Sequence, residues 1–273
     1  MPELPEVETI ARALRLGGRE GPSIVGKTIA GVDILWERSI AAPSNDEFKR
    51  QIAGQIIAGV SRRGKFLVFT LSSGTLLVHL RMSGDLRVIA QKEEALAHDR
   101  VRFHFSGGDM LAFNDPRKFG RIWLVKDPVE VLGDLGPEPF DPALEGVAFH
   151  RMLQSTRRQI KPLLLDQRFL AGVGNIYSDE ALHKAGIHPL TPANQIDPKK
   201  AEALLAAVRE ILEEGIHRNG ASIDWVYRGG DFQNHFRVYQ RTGEPCPVCG
   251  TKIERQIIGQ RSTHFCPHCQ PGA

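Results

Sequence analysis

None of the first 245 residues of this 273-residue chain is a cysteine. A disulfide framework of the kind that staples small secreted proteins is thereby excluded from the main body. Long apolar runs are missing too. No stretch approaches the roughly 20 residues needed to span a bilayer. The N-terminus has neither the basic patch nor the apolar segment of a secretory signal. A soluble, cytoplasmic protein with no membrane partner is expected. Charge of neither sign is in excess, since 35 Lys and Arg against 32 Asp and Glu leave +3. So mild a balance argues only weakly for nucleic acid, and where the arginines fall matters more. No repeat or low-complexity tract is present. No familiar helix cap stands before the opening residues, MPELPEVET.

What is present reads as an α+β protein. Hydrophobic content of 41% and charged content of 25% are ordinary for a globular chain, and the length suggests two domains with a small appendage. Residues 5–16 place Val7, Ile10, Ala11 and Leu14 at helical spacing. Pro5 suits the first helical position, Glu6 and Glu8 suit the positive end of the dipole, and Gly17-Gly18 stops the helix. From about 24 to 125, β-formers alternate with breaks such as SSG, SGD and SGGD. Short helices are expected at 47–53 and 92–98. An antiparallel sandwich with helices against it is the simplest packing. The Pro-, Gly- and Asp-rich stretch 127–142 marks a boundary. Helices are expected beyond it at 144–154, 159–165, 175–185 and 198–219. Residues 220–236 have no clear period, and short strands follow from 237.

The cysteines form two knuckles, Cys246-x-x-Cys249 and Cys266-x-x-Cys269, with sixteen residues between them. This spacing is a strong zinc signature, in which four thiolates surround one Zn²⁺ at about 2.3 Å. Free thiols or a redox pair are the weaker alternatives. A full four-cysteine shell argues for a structural metal, because a catalytic zinc keeps an open position. His264 and His268 are then surplus as ligands and are expected at the surface. The segment GQRSTHF between the knuckles reads as a β-turn presenting Arg261. That arginine is either a phosphate ligand or an ordinary solvated cation.

The opening segment also has two readings. In one it is a plain helix start. In the other, the small second residue permits removal of Met1, leaving Pro2 as a secondary amine with Glu3 and Glu6 close by. Such an amine can attack an electrophilic carbon to give an iminium ion that has no N–H proton to lose. It must first be neutral, and at an α-amino pKa near 8 about a tenth is neutral at pH 7. A neighbouring carboxylate can accept the proton.

Four motifs occur in order: PELPEVET at the start, NDPRKFG at 114–120, GVGNIYSDEAL at 172–182 and the four-cysteine tail. Together they resemble the bacterial formamidopyrimidine-DNA glycosylase (8-oxoguanine DNA glycosylase) family across essentially the whole chain. Endonuclease VIII, the sister family for oxidised pyrimidines, typically opens PEGPE, so Leu4 favours the first branch. The resemblance implies an N-terminal catalytic β-sandwich flanked by helices (1–134), a helix-two-turns-helix domain (135–222), a lesion-capping loop (223–236) and a zinc-finger hairpin (237–273). It implies a bifunctional enzyme that excises oxidised purines from double-stranded DNA and nicks the abasic strand, working as a monomer with one structural Zn²⁺. A non-catalytic zinc DNA-binding protein is the other alternative, but it has no use for Pro2 with two carboxylates.

By the same resemblance, Pro2 is the nucleophile, Glu3 the general acid/base and Glu6 its support. Lys65 and Arg261 grip the phosphate near the lesion, and Arg261 serves the second elimination. The base must leave the stack, and Met82, Arg117 and Phe119 fill the gap. Asn175 binds a phosphate at the start of a helix, where backbone N–H groups favour anions. Tyr177 and Glu180 are structural. Lys161 matches a lysine implicated in lesion preference and, apart from the resemblance, reads as an exposed helix cation. His79 and Tyr239 are further DNA contacts, and Ser222 belongs to the cap.

Overall fold

The computed structural model describes residues 1–18, 21–89, 96–222 and 229–272. Helix α1 (Leu4–Leu16) starts on an unusual cap. Glu3 is the N-cap residue, its side chain accepting from the Glu6 N–H, while Glu6 Oε2 accepts from the Glu3 N–H at 2.8 Å. This is a capping box with glutamate in place of Ser or Thr. It supplies the cap that the sequence lacks in familiar form, and it draws both carboxylates into the interior. Val7, Ile10, Ala11 and Leu14 form the buried face, as their spacing predicts.

Strands β1 (Ile29–Ile34), β2 (Ile40–Ala42), β3 (Ile57–Arg63), β4 (Phe66–Leu71), β5 (Thr75–His79), β6 (Asp85–Ile89), β7 (Asp99–Phe105), β8 (Met110–Asn114) and β9 (Arg121–Val125) follow, with α2 (Asn45–Ile52) between β2 and β3. They make two sheets, β1-β7-β8-β6 and β2-β9-β5-β4-β3. Among the described residues, the strand pairings within these sheets are antiparallel except that of β2 with β9. Inward residues of both sheets, including Phe69, Leu76, Val78 and Ile122 from one and Phe103, Leu111 and Phe113 from the other, share a core with α1 and Phe48 of α2. β7 alternates buried and half-buried residues along its length, the period-2 pattern of a strand with one face inward. The expected helix at 47–53 is α2. Of the one at 92–98, residues 97–98 form a turn and 92–95 lie outside the described residues.

The chain divides into two compact units, Met1–Gly133 with Ser222–Gly229, and Asp134–Ala221 with Gly230–Ala273. A short helix, α3 (Val129–Leu132), ends the sandwich segment inside the Pro- and Gly-rich stretch. The second unit holds α4 (Gly146–Gln154), α5 (Ile160–Leu165), α6 (Asn175–Ala185), α7 (Pro198–His217) and the hairpin β10 (Glu254–Ile258)–β11 (Arg261–Phe265). Asp197 caps α7 by accepting from the Lys200 N–H at 2.9 Å, and Pro198 takes the first helical position. The hairpin turns through Gly259 and Gln260, both with positive φ, the sense that matches strand twist.

One face of α6 carries the hairpin. Asn175, Asp179 and His183 recur every four residues and therefore share a stripe. Asn175 Nδ2 donates to the Ser262 carbonyl at 2.9 Å, Asp179 Oδ2 accepts from the His264 N–H at 2.9 Å, and His183 Nε2 lies 3.4 Å from Cys246 Sγ. Glu180, fully buried, accepts the N–H groups of Arg237, Val238 and Tyr239 at 2.8, 2.9 and 2.8 Å. Its structural role stands; burial raises its pKa while those three N–H groups oppose the shift. Tyr177 stacks on Phe232 with ring centroids 5.1 Å apart.

Two expectations are corrected here. Lys161 is not an exposed helix cation. Its side chain has no exposed surface, and Nζ donates to Asp179 Oδ1 (2.6 Å), Ser178 Oγ (2.7 Å) and the Asn175 carbonyl (2.9 Å). A buried ammonium persists only when paired this fully. His264 is not a surface residue. It is buried, and Nδ1 sits 3.1 Å from Asp179 Oδ2. His268 is exposed, as expected. Replacing Asp179 with Ala strands the Lys161 charge, and a loss of about 3–5 kcal/mol is expected. Urea unfolding followed by a probe in the second unit checks this; a loss under about 1 kcal/mol would contradict the pairing.

Candidate active site and nucleic-acid interface

In the first unit the opening arm is built by the capping box. Met1 is exposed, whereas Pro2, Glu3 and Glu6 are buried. The box needs Glu3 extended, with φ −104° and ψ −171°, so the chain before it cannot continue the helix and instead leads Pro2 off as a short arm. Lys65 follows Gly64 (φ +57°) in the β3–β4 turn and is buried. It sits beside Phe66, which pairs with His79 across β4 and β5, and the Phe66 and His79 rings meet edge to face at 4.6 Å. Lys65 and His79 thus come together.

Burial pulls the His79 pKa down to about 3, and the cations of Arg81 and Lys65 push the same way. The imidazole is therefore neutral. Its Nδ1 accepts from the Arg81 N–H at 3.0 Å, which leaves the proton on Nε2 as a donor.

Two neighbouring turns carry the residues expected to fill a vacated base position. Met82 is half-buried in the 81–83 turn, where Arg81 has φ +56°. Arg117 and Phe119 are exposed in the turn 115–119 before β9. Phe119 leaves 49% of its surface in solvent, and the Arg117 guanidinium lies 5.3 Å from its ring centre. A half-exposed phenyl at the apex of a turn is poorly placed for a core and well placed for a wedge. Lys118 takes φ +62°, rare for a side chain with Cβ, and its Nζ lies 4.0 Å over the Trp36 ring. Ser222 Oγ accepts from the Gly229 N–H at 3.2 Å. Residues 223–228 of the expected cap lie outside the described residues.

In the second unit, Asn175 opens α6 and reaches the Ser262 carbonyl, which brings it next to Arg261. Arg261 is exposed at the end of the hairpin turn. Arg255 holds Ser262 Oγ at 2.8 Å. The Tyr239 ring lies 5.1 Å from that of His264. The four cysteine sulfurs lie within 4.8 Å of one another, with separations of 3.5 Å (Cys249–Cys266), 3.4 Å (Cys249–Cys269) and 3.8 Å (Cys246–Cys269). A tetrahedron with arms of about 2.3 Å has edges of about 3.8 Å, so the donor set fits zinc. Thr251 hydrogen bonds draw the Cys249 thiol down to about 6, whereas burial pushes the Cys266 and Cys269 thiols up. Among the described residues no other cluster of potential metal ligands occurs. No helix among them is long and apolar enough to cross a membrane.

Sequence reasoning missed the burial of Asp115, Asp179 and His264. An aspartate two residues before Arg117 and one beside Glu180 were visible, but their burial was not.

Residues 1–122 match the formamidopyrimidine-DNA glycosylase N-terminal domain, residues 135–226 the H2TH domain of the same enzymes, and residues 243–272 the zinc finger found in FPG and IleRS. The formamidopyrimidine-DNA glycosylase of Protochlamydia amoebophila is 43% identical over 99% of both chains. The Lactococcus lactis Fpg (MutM), solved with DNA containing N7-benzyl-Fapy-dG, superposes with a TM-score of 0.91 at 36% identity, covering 99% of this chain and 100% of that one. MutM bound to DNA containing carbocyclic 8-oxo-G gives a TM-score of 0.89 at the same identity and coverage.

The His79 shift has a definite sign. Between pH 6.5 and about 3 the unfolded chain holds a proton on this imidazole that the folded chain does not. Stability therefore falls as pH drops below 6.5 and owes nothing to this group above it. At pH 5 the penalty is about 2 kcal/mol, and His79→Gln is expected to flatten the pH 7-to-5 slope by that amount. Urea midpoints at the two pH values measure it; an unchanged slope would contradict a neutral, buried His79.

Proposed function

The chain belongs to the formamidopyrimidine-DNA glycosylase family of base-excision repair, and from that premise we propose that it excises oxidised purines from duplex DNA and then nicks the abasic strand as a lyase. The observation that carries this reading is the arm, in which the capping box holds Glu3 and Glu6 buried directly behind Pro2.

The chemistry follows from the amine. Removal of Met1 leaves the Pro2 nitrogen secondary, with a lone pair once deprotonated. That lone pair bonds to C1′ of the damaged nucleotide as the bond from C1′ to the base breaks. Glu3 relays the proton that opens the sugar ring, and Glu6 fixes the Glu3 backbone. The product is a Schiff base whose nitrogen stays positive, because it has no proton to shed. This charge acidifies C2′–H, so loss of that proton breaks the C3′–O bond. A second elimination breaks C5′–O, with Arg261 as proton donor, and water frees the sugar fragment from Pro2.

DNA recognition distributes over the remaining residues. Lys65, His79 through Nε2–H, Asn175, Tyr239 and Arg261 contact the phosphodiester backbone, a term that weakens with salt. Met82, Arg117 and Phe119 fill the gap left by the flipped base, and Ser222 belongs to the cap. Lys161 acts through Asp179 by fixing α6, not by touching DNA. The domains are those of the resemblance: 1–134 for catalysis, 135–222 and 237–273 for DNA binding. Cys246, Cys249, Cys266 and Cys269 would hold one Zn²⁺, which would make the hairpin rigid. All parts lie in one chain, which works as a monomer.

The test compares duplexes carrying 8-oxoguanine opposite cytosine and thymine glycol opposite adenine. The purine lesion is expected to be cut faster, leaving phosphate at both ends of the gap. Faster cutting of thymine glycol would assign the pyrimidine-directed sister activity instead. Glu3→Gln is expected to lower 8-oxoguanine excision by about 10²-fold or more; full activity in that variant would remove Glu3 from the chemistry.

A further inference from the structure

Met82 lies in one turn and Arg117 and Phe119 in another, 35 residues further along. Two separate turns entering DNA would each need to be held by their own framework. Here one buried group holds both. Asp115 has no exposed surface. Its Oδ1 accepts from the Ser83 hydroxyl of the first turn and from the Arg117 N–H at 3.2 Å, and its Oδ2 accepts from the Gly120 N–H at 2.7 Å. Ser83 Oγ in turn accepts from the Arg117 N–H at 3.1 Å. The Asp115 backbone is fixed as well, with its N–H on the His98 carbonyl (2.9 Å) and its carbonyl receiving Arg100 Nε (2.8 Å).

Packing repeats the link. The Phe113 ring, fully buried, lies under both turns. A Cβ on Gly120 would come within 2.2 Å of its Cζ, and one on Gly84 within 2.9 Å of its Cε2. Both turns therefore close on one ring with no room for a methyl group.

We propose that the Ser83–Asp115 pair is a positioning device that makes the Met82 turn and the Arg117–Phe119 turn insert into DNA as one unit. This rests on the wedge reading of Met82 and Phe119 given above. Charge-assisted hydrogen bonds are short and directional, and a buried carboxylate that loses a donor must recover one. Displacing either turn alone breaks a bond that the other turn supplies. The two wedges then pay one ordering cost between them, and their contributions to lesion binding are coupled.

A double-mutant cycle measures that coupling. Met82→Ala, Phe119→Ala and the double variant are compared for kcat/KM on 8-oxoguanine duplex, first in the parent and then with Ser83→Ala. In the parent, the double loss is expected to fall short of the product of the single losses by about fivefold or more. With Ser83→Ala the losses are expected to multiply. Multiplicative losses in the parent, or coupling unchanged by Ser83→Ala, would overturn the proposal. Single variants that leave kcat/KM unaltered would overturn the wedge reading itself, a distinct result. A purely structural Ser83 would lower every kcat/KM by one common factor and leave the coupling in place. Asp115→Asn offers a second way to weaken the pair; if it does not fold, Ser83→Ala decides alone, since it deletes a single hydroxyl.

Discussion

The Asp179 carboxylate, sealed from water and shared by Lys161 and His264, is the interaction on which the second unit depends. One oxygen neutralises a buried ammonium on α5 and the other fixes strand β11 of the hairpin. Desolvation makes an ion in such a place costly unless every lone pair is used. The observed register of hairpin against helix is the one that brings the His264 N–H and ring nitrogen onto the second oxygen. Glu180 repeats the device one residue on, taking three consecutive N–H groups of residues 237–239. The helix that opens at Asn175 and the hairpin that presents Arg261 are thereby one assembly.

The first unit uses the same physics for a different purpose. Glu3 and Glu6 cap a helix and, by doing so, lie buried behind Pro2. The proton-transfer role proposed for Glu3 would account for a glutamate where Ser or Asp caps better. Asp115 satisfies the N–H groups of a turn whose apex is an exposed phenyl and a guanidinium. In each case a carboxylate held by backbone N–H groups sets the position of a residue suited to meeting DNA. Function at the surface is built on charge beneath it.

Much of this was legible in the sequence. The helical spacing of Val7, Ile10, Ala11 and Leu14, the β-former segments and the cysteine spacing all reflect local rules, and the elements followed them. The four motifs gave the family. Sheet order was not legible, because the pairing of β1 with β7 and of β5 with β9 depends on residues far apart in the chain. Nor was the fate of polar side chains. Lys161 reads as a surface cation because a lysine is rarely buried, and only partners that surround it in the fold, among them Asp179, Ser178 and the Asn175 carbonyl, say otherwise. His264 lost its likeness to a surface residue for the same reason, through a partner 85 positions away. The Glu3 cap was missed because capping is associated with smaller side chains.

The central claim is that the Pro2 nitrogen becomes bonded to deoxyribose. Borohydride added during reaction with 8-oxoguanine duplex reduces a Schiff base to a stable amine, and mass analysis of the digested adduct locates it. The expected result is an N-terminal peptide that lacks Met1 and carries the sugar on Pro2. An adduct on a lysine, or full strand cleavage by protein that retains Met1, would contradict the account.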